Sequence, residues 1–155
     1  PESSDRMNRL FERDLTRLIQ EIEAFPSDEA LWEVREGVTN SAGNLALHLE
    51  GNLREFIGRQ LGGVPYQRER DKEFSTRQLS RAELARRIEE VRRLVPSIVE
   101  AMDAGAVFPQ NVLGVEMTNH EFVIHLYGHL NWHLGQIDYL RRVLTGDGAL
   151  KLQGL

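Results

Sequence analysis

The chain has 155 residues, 41% of them hydrophobic and 28% charged, which suits one domain, 1–155, around a single core. It has no cysteine, which excludes disulfides, thiolate metal ligands and a cysteine nucleophile together. A formal charge of -5 argues against a nucleic-acid binder, and no apolar run approaches the roughly 18 residues of a membrane span. The arginine pairs Arg86-Arg87 and Arg92-Arg93 are interleaved with Glu83, Glu89 and Glu90, as on a solvated helix face. With no signal-peptide pattern and no cysteine, a cytoplasmic location is the expectation.

Four long segments carry a helical period, and none reads as a strand. In the first, residues 5–25, Met7, Phe11, Leu15, Leu18, Ile22 and Phe25 form one stripe that stops at Pro26. The second runs over residues 41–60, with Leu45, Leu49, Leu53 and Phe56 as its apolar side, and Gly62-Gly63 ends it. The third opens on a capping box, Ser80 and Glu83, and continues as an apolar stripe from Leu84 to Met102. Pro96 lies inside it and predicts a kink. This helix offers no polar inward residue and reads as a wall. The fourth opens on a second capping box, Thr118 and Glu121, and runs to about Leu144 before Gly146. At 1.5 Å per residue it spans roughly 39 Å.

Four such helices predict an all-α protein, a four-helix bundle. The connections are long. The middle one, from Gly62 to Leu79, has the length to return along the bundle and leave its flanking helices parallel, without requiring it. It is polar and fits over one mouth of the bundle.

Three of the five histidines sit in "HLYGHLNWHLGQI" as His125, His129 and His133, one helical turn apart. His129 and His133 share the side of Phe122, Gln136 and Leu140, expected to face the core. Two imidazoles at this spacing can bind one metal ion, as in helical zinc sites. His48, between Leu45 and Leu49 in the second helix, is placed to supply a third ligand. His120, in the first turn of the last helix, is expected to be exposed. No Glu follows His129, so the metalloprotease motif is absent. The ordinary alternative has no metal, with the histidines bonded to one another and to water. Asp14, among the apolar positions of the first helix, would orient a ligand histidine or, as a boundary residue, pair with an arginine. Asn52 and Glu55 follow His48 on nearly the same side and would line the pocket mouth, Glu55 as a candidate general base.

The "HLYGHLNWHLGQI" segment resembles the last-helix signature of the DinB/YfiT-like superfamily, with its paired histidines and Gly-Gln-Ile step. "NSAGNLALHLEGNLREFIG" resembles the second-helix signature with its single histidine, and "LWEVREGVTNS" the approach to it. The resemblance covers most of the chain. It implies an up-down-down-up four-helix bundle and one divalent ion, nickel or zinc, with His48, His129 and His133 as ligands. It implies a supporting role for His125, and it places the chain nearest an uncharacterised branch. Relatives of this superfamily include S-transferases that use low-molecular-weight thiols.

Two functions follow as expectations. In the first, three neutral imidazoles leave the ion its +2 charge and an open position, and a low-molecular-weight thiol from solution attacks a small-molecule electrophile. In the second, the chain is a non-catalytic metal- or ligand-binding homodimer of the stress response, with Gly128 and Gly135 allowing close helix approach near Trp132 and Tyr139.

Overall fold

The computed structural model describes residues 2–152, with side chains from residue 6 onward, so Pro1 and residues 153–155 of the expected domain lie outside it. The described residues form helices and no strand, apart from one isolated bridge between Val107 and Thr118. Four helices are long: α1 (Glu2–Glu23), α2 (Ala42–Leu53), α4 (Arg81–Ala101) and α5 (Asn119–Thr145). A short helix, α3 (Arg70–Ser75), lies in the middle connection, and a 3-10 turn (Glu29–Trp32) precedes α2. Neither short element has the length to show as a period in sequence.

The core is one continuous cluster. Phe11, Leu15, Leu18 and Ile22 of α1 meet Leu84, Ile88, Val91, Val95 and Val99 of α4, all but fully buried. Helix α1 packs mainly on α4 and also on α5, while α2 packs on α4, α5 and α3. The sequence assigns α2 one apolar side, but every residue from Ala42 to Leu53 is buried. A helix covered on all sides has no solvent face, so its polar residues must find partners inside the protein. Ser41 caps it through its hydroxyl, which accepts from the Asn44 amide at 3.1 Å. Beyond Leu53 the chain widens into a π-helical turn, Arg54–Arg59.

Helix α5 carries both halves of its capping box, Glu121 N–H to Thr118 at 3.2 Å and Thr118 N–H to Glu121 at 2.8 Å. Gly146 ends it at φ 76°, a conformation that favours glycine. In α4 only half of the expected box forms. Ser80 accepts from the Glu83 amide, but the Glu83 carboxylate turns to Arg86. The helix runs unbroken past Pro96. It is also more than an apolar wall, because Arg87 reaches across to the buried Glu50 of α2 at 3.0 Å, where Arg54 joins it. No helix among the described residues is long and apolar enough to cross a membrane.

Candidate metal centre

Helices α2 and α5 bring His48, His129 and His133 together. One ring nitrogen from each lies within 4.8 Å of the other two, close enough to hold a metal ion. His48 Nε2 and His129 Nε2 are 3.1 Å apart. Two nitrogens on a tetrahedral zinc ion lie roughly 3.3 Å apart, so this edge already has the needed length. The rings stand nearly perpendicular, with interplanar angles of 78°, 84° and 89°.

The far side of two rings is occupied. His48 Nδ1 meets Glu73 Oε1 at 3.0 Å, and His133 Nδ1 meets Gln136 Oε1 at 2.7 Å. Both partners are oxygen acceptors, and the Arg68 guanidinium stands farther from His48 Nδ1, at 3.5 Å, so the closer contacts favour the ring proton on Nδ1 and leave the Nε2 lone pair for a ligand. His129 Nδ1 is buried with no hydrogen-bond partner among the described residues. Burial, then the neighbouring His133 and His48, push the His129 imidazole down to about 4, and burial also lowers His133. Both rings are thereby neutral near pH 7, the form that binds a metal. The donor set therefore fits one divalent ion.

The histidine side of α5 is the margin of the core rather than its centre. Phe122 and Leu140 are buried, but Gln136 is exposed and His129 and His133 are half-buried. The centre is held by Val123, Leu126, Leu130 and Ile137. The marginal position leaves His133 open to a cleft of about 500 Å³ between α5 and the segment Arg35–Asn40. Val38, Leu45, Tyr139 and Val143 give this cleft apolar walls, and Arg35 stands on its lining.

The other sequence candidates fall elsewhere. His125 is exposed and stacks on Phe122, with ring centroids 5.6 Å apart, and it is not in the three-histidine group. His120 is half-buried rather than exposed, because its backbone is tied to Ala104 under the Asp103–Met117 connection. Asp14 makes no hydrogen bond to a histidine among the described residues. Its carboxylate takes bonds from Arg13 and Arg17 at 2.9 Å and from the Tyr127 hydroxyl, so the pairing with arginine holds, but Asp14 is fully buried rather than at a boundary. Glu55 is bound by Arg59, which outweighs burial and holds its carboxyl below the usual range. Asn52 is buried, and its Oδ1 has no partner among the described residues.

Three contributors were not foreseen. Glu73 and Arg68 come from the middle connection, with Arg68 gripping both carboxylate oxygens of Glu73 at 2.8 and 3.0 Å. Phe74, beside Glu73, lies against the His48 ring at 5.0 Å between centroids. The one sequence signal for them is Gly51, an isolated glycine inside a helix, which flags a close approach by another segment.

No curated protein and no solved structure matches the chain. A protein-family profile does, over residues 5–152, which is nearly its whole length. The chain belongs to the family described as Protein of unknown function (DUF1572).

Proposed function

We propose that His48, His129 and His133 hold one divalent ion, nickel or zinc, and that the protein joins a low-molecular-weight thiol to a small electrophile. The observation that carries this reading is the convergence of three ring nitrogens within 4.8 Å, two of the rings having the opposite nitrogen tied to an acceptor. A divalent ion in this site would supply Lewis acidity and make a thiol beside it more acidic. The residues of the chain do the rest. Gln136 holds the His133 ring in place, and the apolar walls of the adjoining cleft receive the electrophile. The thiol comes from solution, because the chain has no cysteine. Hydrolysis is disfavoured, since Leu130 follows His129 and the Glu55 carboxylate is committed to Arg59. The motif resemblance to the DinB/YfiT-like superfamily supports the same reading and the up-down-down-up order of the four long helices.

The test is a panel of low-molecular-weight thiols and small electrophiles with metal-loaded protein, read as thiol consumption. Turnover that disappears in His133→Ala is the expected result. Absence of turnover with every pair would overturn the transferase reading.

One observation favours the second reading, a non-catalytic homodimer. Trp132, Tyr139 and Val143 on the outer side of α5 are 70%, 68% and 66% exposed. Gly128 and Gly135 on the same helix have open space around them. Sedimentation of the wild type and of Trp132→Glu distinguishes the two readings when combined with the thiol panel. A dimer that the substitution splits, without turnover, supports the binding module.

A further inference from the structure

Helix α2 contains a notch. Gly51 lies in its interior, where a glycine costs stability relative to alanine. A Cβ added there would overlap Oε2 of Glu73 and stand 2.6 Å from its Cδ. The notch is therefore filled by the Glu73 carboxylate. That carboxylate is 6% exposed and turns its other oxygen, Oε1, to His48 Nδ1 at 3.0 Å.

A buried Arg68–Glu73 pair could serve merely to fasten α3 to α2. The fastening is already provided by another residue. Asn44 Nδ2 donates to the backbone oxygens of Glu73 and Thr76, both at 2.9 Å. The carboxylate adds nothing needed for that latch, yet α2 gives up a side chain at residue 51 to admit it. Arg68 holds both of its oxygens and compensates its charge. A carboxylate only accepts hydrogen bonds, so a ring nitrogen that faces it carries a proton, which places a His48 proton on Nδ1 and keeps the ring from rotating.

We propose that Glu73, seated in the Gly51 notch and clamped by Arg68, is the positioning residue for the His48 ligand. It acts through that ring, aiming Nε2 at the point where His129 and His133 converge. The proposal rests on the metal reading of the three histidines for its affinity consequence. Its consequence for the His48 tautomer does not depend on metal.

The experiment has two readouts on the full chain. The first is zinc affinity by chelator competition. Glu73→Leu, which keeps bulk and removes the acceptor, is expected to weaken binding by about 10- to 100-fold. Glu73→Gln retains a neutral acceptor and should lose less. Gly51→Ala should behave like Glu73→Leu while helix content by circular dichroism is kept. Lys72→Ala, on the exposed side of α3, should match the wild type. The second readout is the ring nitrogen spectrum of His48 in metal-free protein. The wild type should show the Nδ1–H form, and Glu73→Leu a mixture of the two tautomers. If Glu73→Leu and Glu73→Gln bind zinc equally well, or the wild-type ring already carries its proton on Nε2, the positioning role is overturned. If the wild type binds no zinc, the metal reading falls, and the tautomer comparison still decides whether Glu73 orients the ring.

Discussion

Helix α5 presents partly buried polar groups to two neighbours, and the two clusters are built in opposite ways. Toward α1, Tyr127 joins Asp14, Arg13 and Arg17, so that a carboxylate is surrounded by donors and opposite charges. Burial alone would raise Asp14, but the bonds from Arg13 and Tyr127 outweigh it and hold the carboxyl below its usual value. Toward α2, His129 and His133 meet His48, three like groups with one ring nitrogen of each converging, and burial pushes the titration of His129 and His133 down. The first cluster is complete as it stands. The second brings one nitrogen of each ring close enough to the others to hold a cation. Buried polarity arranged to be satisfied reads as architecture, and buried polarity arranged to leave one kind of group converging reads as a site.

Substitutions in the two clusters should have separable effects. The largest effect should come from His48→Ala or His129→Ala, each weakening divalent-metal affinity more than about 100-fold in chelator competition, because two imidazoles no longer enclose the ion. Asp14→Ala should lower stability by about 3 kcal/mol in denaturant titration, since Arg13 and Arg17 lose a buried counter-charge, and should leave metal affinity within about twofold. If metal affinity fell with Asp14, the two clusters would not be separate devices.

The pH dependence of the metal-free protein separates them next. His129 titrates at about 4 in the fold against an ordinary imidazole value of 6.5. Between these values the unfolded chain binds the proton and the folded one does not, so stability falls as pH drops from 6.5 toward 4. The fall should be about 1–2 kcal/mol after discounting for solvent reaching the half-buried ring, and it should be absent in His129→Leu. Asp14 acts in a lower window. Its folded carboxyl is depressed, so its contribution is present above the ordinary 3.8 and is lost as pH falls through the lowered value. The smallest effect is expected at His125→Ala, with stability and metal affinity changed by less than about 0.5 kcal/mol, since the ring is exposed.

Much of this was legible in the chain itself. The stripe from Phe11 to Phe25 and the boxes at Ser80 and Thr118 carry their own period and punctuation, so the long helices could be placed from sequence. The His129–His133 pair was equally plain, because one helical turn is a local distance. His48 was placed as the third ligand by its position between Leu45 and Leu49, which requires the second helix to face the last one, and the resemblance agreed with it. The burial of α2 on every side was hidden, because His48, Glu50 and Asn52 look like a polar face until their partners are known. Glu73 was the least visible. It lies 25 residues from His48 in a polar connection, and α3 is too short to announce itself by periodicity. Its only trace in sequence was the absence of a side chain at Gly51.

The central claim is that three imidazoles form one cation site. Calorimetric titration of metal-free, untagged protein with zinc and with nickel tests it most directly. The expected result is saturable binding of one ion per chain in the wild type, lost in the His48→Ala, His129→Ala and His133→Ala variants. Absence of binding in the wild type, or full occupancy in all three variants, would contradict it.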